Sequence, residues 1–410
     1  MKPTVLIATT RRWFPTARLA MALANAGCAV EAVCPPGHPL GQTNAVQRIH
    51  SYRGLTPLIS FASAISAAKP DFVAPGDDLA TQHLQQLHDQ EQRRGIAGPL
   101  CALIERSLGS PESFPIVYGR SEFIEVARQQ GVRVPKTEIV ANLNDLRRWI
   151  AQMGLPTVLK TNGSSGGDGV RVVHTIEDAE RAFHTLNAPP LLTRAIKRAV
   201  VDQDKTLIWP SLLRRRPAVN AQAFVPGREA TSAIFCWEGS VLASLHFEVI
   251  AKAQQAGHAT AIRLIEHSEM SSAAEKIVRQ LNLSGLHGLD FMLEGGTGNA
   301  YLLEINPRST QVGHLTLGPG RDLPAALYAS LSGKIVQPSR KITENDMITL
   351  FPQEWIRDPN SPLLQSGYHD VPWEEPELIR ACVRARRKQS SWYSHQNWIQ
   401  ASSPIRVPRS

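Results

Sequence analysis

The sequence predicts a small parallel α/β domain at the N-terminus, then an α+β body and a basic C-terminal extension. Three observations carry that expectation. Short β-branched runs alternate with helix-like stretches in the first quarter of the chain. A lysine-bearing strand then enters a glycine-rich loop, and later two apolar runs flank a glycine turn and carry two carboxylates and an asparagine. With 410 residues and 42% hydrophobic content, the chain is long enough for two or three packed cores.

In the N-terminal part, residues 5–8, 29–33 and 71–74 read as strands, and residues 15–25, 57–68 and 78–88 as helices. Ligands of parallel sheets gather at the carboxyl ends of the strands, so Thr9, Thr10, Asp77 and Asp78 are candidate substrate contacts. The alternative for Asp77 is structural, as the cap of the helix that follows it. Residues 109–115, rich in Gly, Ser and Pro, are the expected linker. The first domain is therefore assigned to residues 1–110 and the second to residues 111–335.

Residues 155–173, LPTVLKTNGSSGGDGVRVV, read as strand, loop, strand, because residues 158–161 and 170–173 favour extended chain. Glycines at 163, 166, 167 and 169 let successive backbone N–H groups approach phosphate oxygens, and Lys160 adds a point charge. The Gly-Lys-Ser/Thr phosphate loop and the dinucleotide fingerprint both need a helix after the glycines, and neither pattern is present. A mobile hairpin tip is the alternative reading of the loop alone.

Residues 288–308, GLDFMLEGGTGNAYLLEINPR, read as a β-hairpin. A turn centred on Thr297 sets Asp290 across from Glu304, and side-chain alternation turns Asn306 to the same face and Ile305 away. Two opposed carboxylates with an amide beside them suit a hard divalent cation, Mg²⁺ above all, bridging to substrate phosphates. A solvated acidic turn is the alternative for the hairpin taken alone.

A lysine strand, a glycine loop and a carboxylate hairpin, in that order, resemble the ATP-grasp superfamily over residues 118–333, in particular its carboxylate–amine ligases of the D-alanine–D-alanine ligase and biotin carboxylase kind. The resemblance implies two subdomains, at about residues 135–220 and 221–335, with ATP between them. It implies that Lys160 contacts the α- and β-phosphates and that Ser164, Ser165, Gly166 and Gly167 belong to the phosphate-covering loop. Residues 222–229 match the linker between subdomains, where Gln222, Phe224 and Val225 meet adenine and Glu229 holds the ribose. Asp290, Glu304 and Asn306 match the ligands of Mg²⁺ (or Mn²⁺), and Arg308 the arginine that neutralises the transferred phosphoryl group. Arg120 stands where a lysine is usual. Arginine keeps the charge and changes the geometry. In residues 304–314, EINPRSTQVGH, Gly313 replaces the glutamate that in the biotin carboxylase signature acts as base for bicarbonate.

Arg263, in a polar stretch between a strand-like run and the helix starting near Met270, is a candidate fork for a substrate carboxylate, and His258 a weaker candidate donor. The resulting expectation is an ATP-dependent ligase that joins a small carboxylate to an amine through an acylphosphate, with ATP as substrate and magnesium as cofactor. A carboxylase or phosphoryl-transfer relative and a degenerate nucleotide-binding module are the competing readings. Ligases of this type imply a homodimer.

Composition excludes several other classes. Net charge is +8, yet the arginines cluster at 194–198, 214–216 and 380–388 with no aromatic platform or reader motif, so no nucleic-acid partner is expected. Five scattered cysteines, Cys28, Cys34, Cys101, Cys236 and Cys382, show no disulfide framework and no zinc spacing. There is no signal-like N-terminus and no apolar run of about eighteen residues, so the expectation is a cytoplasmic protein without membrane contact. Residues 336–410, with Trp355, Trp373, Trp392 and Trp398, read as a packed cap.

Overall fold

The computed structural model of the protein describes residues 2–95, 98–161, 169–193, 195–196, 208–254, 257–334 and 340–384. The N-terminal domain holds four parallel strands, β1 (Thr4–Ala8), β2 (Ala29–Cys34), β3 (Arg48–Ser51) and β4 (Phe72–Pro75), in the order β3-β2-β1-β4. Helices α1 (Phe14–Ala26), α2 (Pro57–Ala68), α3 (Asp78–Arg93) and α4 (Pro99–Leu108) pack around them. Proline opens α1, α2 and α4, where a missing N–H costs nothing. Gly27 in left-handed conformation closes α1. The alternating domain is as expected, with two elements added: β3, an exposed edge strand without an apolar face, and α4.

The expected linker at 109–115 is packed chain. Gly109 bridges Leu283, and its φ of +96° together with a Cβ position 2.4 Å from the Asn282 carbonyl oxygen leaves room only for glycine. Helices α5 (Phe114–Tyr118) and α6 (Arg120–Gln129) follow.

The second sheet, in the subdomain expected at about residues 135–220 and called the lid for short, is antiparallel, in the order β5 (Thr137–Val140), β8 (Val219–Ala223), β6 (Thr157–Thr161), β7 (Val170–Val173). Helices α7 (Leu143–Met153) and α8 (Ile176–Leu186) cover it, closing a core around Trp149, Leu159 and Phe183. The indole N–H of Trp149 donates to Thr157 Oγ1 at 2.8 Å, so this buried aromatic keeps its polar atom satisfied. A short helix α9 (Ile208–Leu212) precedes β8.

The third sheet has seven strands, ordered β13 (Ala300–Asn306), β12 (Gly285–Glu294), β9 (Gly227–Trp237), β10 (Ser240–Lys252), β11 (Ala259–Leu264), β14 (Met347–Leu350) and β15 (Tyr368–Asp370). One face packs on α10 (Ser268–Leu281) and α6 through Ile234, Phe291 and Ile277. The other carries Phe235 and Phe247 into a core shared with α11 (Leu323–Ser332) and with Val5, Ile7 and Phe72 of the N-terminal sheet. The two domains thus share apolar interior.

The described part of the C-terminal segment packs onto the seven-stranded sheet. It supplies β14 and β15, covering the otherwise open edge of β11. Trp355 stacks on Phe351 with centroids 6.3 Å apart, whereas Trp373 is 75% exposed. Trp392 and Trp398 lie outside the described residues. Among the described residues no helix is long and apolar enough to cross a membrane.

One buried charge cluster ties this segment down. Asp370, 1% exposed, takes Arg18 Nη2 of α1 at 2.5 Å and His314 Nε2 at 2.6 Å. Burial opposes its ionisation, but the charges and hydrogen bonds of His314 and Arg18 outweigh burial and hold its pKa below the ordinary 3.8. A carboxylate depressed in the folded state stabilises above its unfolded pKa, and that contribution is lost as pH falls through the folded value. Asp370→Asn keeps the shape and strands the Arg18 charge, so urea unfolding at pH 7 should show a loss of about 3–5 kcal/mol. An unchanged midpoint would mean that the cluster contributes nothing to stability.

Candidate active site

The hairpin of β12 and β13 forms at the expected place. Its turn carries positive φ at Gly296 (+89°) and Gly298 (+75°), and Thr297 Oγ1 donates to Glu294 Oε2 at 2.6 Å. Asp290 pairs with Glu304, and Gly288 with Asn306. That register depends on a bulge at Leu303. Next to the turn Leu293 faces Ala300 and Phe291 faces Leu302, and the extra residue brings Glu304 opposite Asp290. Without it Asp290 would face Leu303, and Glu304 would turn to the other face.

Asp290 is held by two donors: Thr231 Oγ1 on β9 to Oδ1 at 2.9 Å, and Asn306 Nδ2 to Oδ2 at 2.9 Å. Burial first, and the Glu304 charge second, push its pKa up to about 6. Glu304 meets Arg120 Nη2, at the start of α6, at 3.0 Å. Lys160 on β6, buried in the lid sheet, has its pKa lowered to about 8 by burial, with the Arg120 charge adding to the shift and the charges of Glu304, Asp290 and Glu229 opposing it. The lid lysine therefore sits in the field of the hairpin carboxylates. Among the described residues no group of three His, Cys, Asp or Glu side chains gathers as a metal site; the set here is two carboxylates and an amide. Oxygen donors alone, with like charges facing each other, fit a hard dication.

Arg308 follows the hairpin and joins it to the N-terminal domain. Its Nε donates to Asp78 Oδ1 at 3.0 Å, Nη1 to the Ser309 carbonyl at 3.2 Å and Nη2 to Asn306 Oδ1 at 3.3 Å, and the guanidinium lies 5.5 Å from the Trp13 ring centroid. Asp78 had a sequence signal only as a strand-end carboxylate, and Trp13 and Thr231 had none.

The other candidates divide. Gln222 on β8 donates from Nε2 to Thr137 Oγ1 at 3.0 Å, and the chain crosses from lid to seven-stranded sheet through Phe224, which is exposed, and the half-buried Val225. Glu229 accepts from Lys252 Nζ at 2.6 Å. Ser164, Ser165, Gly166 and Gly167 lie outside the described residues. Arg263 is a strand residue rather than a loop residue. It lies in the cross-strand row of Glu248 and Ala230, on the α10 side of the sheet, whereas Asp290 and Thr231 face the other side. Its nearest carboxylate is Glu248, at 3.9 Å. The structure therefore does not bring Arg263 to the carboxylate pair. His258 closes the β10–β11 turn by accepting from Ala253 N through its carbonyl, and burial lowers its pKa.

Thr9, Thr10 and Asp77 form a closed knot. Asp77 accepts from Thr9 Oγ1 at 2.7 Å, from Thr10 N at 2.6 Å, from Thr10 Oγ1 at 2.8 Å and, as cap of α3, from Ala80 N at 2.9 Å. The capping alternative holds for Asp77.

The model of the ATP-grasp domain matches residues 121–312. The large chain of carbamoyl phosphate synthase from Mesorhizobium japonicum is 24% identical over 209 residues, which is 49% of this chain and 18% of that protein. The chain thus spans less than a fifth of the length of that relative. Among solved structures, N5-carboxyaminoimidazole ribonucleotide synthetase in its ADP complex has a TM-score of 0.57 at 15% identity, covering 83% of this chain and 80% of that one. The biotin carboxylase domain dimer of Hydrogenobacter thermophilus 2-oxoglutarate carboxylase, with MgADP and bicarbonate, has a TM-score of 0.55 at 14% identity, covering 82% and 71%. At these identities the likeness is one of fold.

The raised pKa of Asp290 carries a sign. A carboxyl whose pKa rises on folding favours the protonated folded state, so in metal-free protein its penalty grows as pH rises from about 4 to about 6 and is fully present at pH 7. Asp290→Asn should raise the thermal midpoint of EDTA-treated protein at pH 7 and remove any stabilisation by added Mg²⁺. A variant less stable than the natural protein, or still responsive to Mg²⁺, would contradict the opposed-carboxylate reading.

Proposed function

We propose that the protein is an ATP-dependent carboxylate–amine ligase, a reading supported by the match of the ATP-grasp domain model to residues 121–312. In this reading a carboxylate takes the γ-phosphoryl group of ATP and ADP leaves. An amine then displaces phosphate from the acylphosphate to form an amide. The observation that carries the proposal is Asp290 facing Glu304 across a hairpin, with Lys160 of the lid in the field of both.

The chain's own groups position and neutralise. Lys160 holds the α- and β-phosphates, and Arg120, already beside Glu304, supplies the second cation. Gln222, Phe224 and Val225 line the adenine side, and Glu229 takes the ribose. Ser164, Ser165, Gly166 and Gly167 are assigned to the phosphate cover on sequence grounds. Arg308 faces the transferred phosphoryl group. Asp290, Glu304 and Asn306 would hold Mg²⁺, with Mn²⁺ as a substitute, and the ion would supply charge shielding for the phosphates. Arg263, on the opposite face of the sheet, has no part in this arrangement.

One feature argues against bicarbonate chemistry: Gly313 stands where the biotin carboxylase signature has its base, so the chain carries no carboxylate there. A Cβ at this position would make a tight contact, 3.1 Å, with Ser309 Oγ. Small-molecule acid and amine substrates follow, and a homodimer is part of the proposal.

ADP release should be measured over a panel of amino acids and small carboxylates, each with and without amines and with bicarbonate. Release that needs both an acid and an amine is the expected outcome; release driven by bicarbonate alone would overturn the amide reading. The Lys160 pKa adds a pH test. Its charged form attracts phosphate, and it loses its proton as pH rises through about 8, so calorimetry should show weaker MgATP binding at pH 9 than at pH 7. Lys160→Arg should flatten that dependence. Equal affinity at both values in the natural protein would remove Lys160 from the phosphate site.

A further inference from the structure

We infer that Asp78 is a positioning residue for Arg308, so that the N-terminal domain sets the aim of the guanidinium that faces the phosphoryl group. This rests on the reading of Arg308 given under the proposed function. The argument begins with donor use. Asp78 takes Nε, the Ser309 carbonyl takes one N–H of Nη1, and Asn306 Oδ1 takes one N–H of Nη2. One N–H on each terminal nitrogen remains for two oxygens of a phosphoryl group or carboxylate. A carboxylate at Nε leaves both terminal nitrogens this capacity, whereas one placed end-on would use it.

Asp78 can hold this place because its neighbour does the capping. Asp77 supplies the cap of α3 and is filled by the threonines of the β1 loop, so the Asp78 side chain is left to Arg308. The backbone around both ends is stitched down. Tyr118 O–H donates to the Asp78 carbonyl at 3.1 Å, Thr81 Oγ1 to the Pro307 carbonyl at 2.8 Å, and Ser309 N to the Pro75 carbonyl at 3.1 Å. Trp13, from the loop after β1, lies against the guanidinium and limits its swing. Each of these anchors on Arg308 and its flanking residues, apart from Tyr118, comes from the corner of the N-terminal sheet where β1 and β4 end.

A bridge that only docked the domains would use the same pair, so the test separates aim from stability. Asp78→Ala, Asp78→Glu, Arg308→Lys and the double variant Asp78→Ala/Arg308→Lys are compared by ADP release with the best acid–amine pair, by MgATP calorimetry and by thermal melting. If no pair is productive, slow ATP hydrolysis replaces ADP release. Misaiming by about an ångström costs on the order of a hundredfold, so Asp78→Ala should lower kcat by about tenfold to a hundredfold, with the KM for MgATP unchanged within about twofold. Asp78→Glu should recover part of the loss, and Asp78→Ala should add little in the Arg308→Lys background. Unchanged kcat, a loss that adds fully to that of Arg308→Lys, or a loss explained by melting would overturn the inference. Natural protein that binds no MgATP would instead sink the proposed function, so the two failures are distinguishable.

Discussion

Two carboxylates, Asp290 and Glu304, face each other across one hairpin, and most of the site follows from keeping them there. Burial first, and the facing charge of Glu304 second, push Asp290 up to about 6. Each neighbouring group answers part of that cost. Thr231 and Asn306 donate to Asp290, Arg120 pairs with Glu304, and Lys160 faces both from the lid. Removing one of the two carboxylates would simplify the electrostatics and weaken the reason for two cationic side chains, Arg120 and Lys160, to converge. The bulge at Leu303 is the backbone device behind the opposition, since it restores the register that brings Glu304 to the face of Asp290.

The second constraint is that residues 307–309 serve two domains at once. Their backbone is hydrogen-bonded to Pro75 and Thr81 of the N-terminal domain, while Arg308 reaches Asn306 of the hairpin. A little further on, His314 binds Asp370 and, through it, Arg18 of α1. One short segment therefore connects the hairpin edge of the seven-stranded sheet, the N-terminal domain and the opposite edge at β15. The shared core around Phe235, Phe247 and Phe72 makes those polar links geometrically stable rather than incidental.

Much of this was legible in the sequence where local pattern carries the information. The hairpin needed only a glycine turn and alternating side chains, and the lid strands at Val170–Val173 and Thr157–Thr161 needed only β-branched runs. The register of Asp290 and Glu304 came out right although the bulge was invisible, because a turn centred on Thr297 and a tighter turn followed by one extra residue lead to the same pair. Where partners are distant in sequence, pattern failed. Arg263 read as a polar loop, since its strand is short and its pairing with β10 and β14 is decided by tertiary contact. The strands β14 and β15 were hidden for the same reason. Helix α3 continues to Arg93 through Asp-Gln-Glu-Gln, where no apolar face marks it.

In the proposed reading, the Glu229–Lys252 pair sets a condition on how a nucleotide would enter this site. Lys252 Nζ occupies one Glu229 oxygen at 2.6 Å, so a ribose diol could take the second oxygen without breaking the pair, or both if the lysine moved. Retaining the pair keeps a charge-assisted bond and fixes the carboxylate rotamer, which favours a ribose docking onto a prepared acceptor. Arg120 is in a different position, because it already pairs with Glu304, one of the proposed metal ligands. In the proposed reading Asp290, Glu304 and Asn306 would hold Mg²⁺, the ion would compete with Arg120 for Glu304, and the guanidinium would then be available to the phosphates. The adenosine end would thus meet a carboxylate already fixed by Lys252, whereas the phosphate end would exchange one ion pair for another.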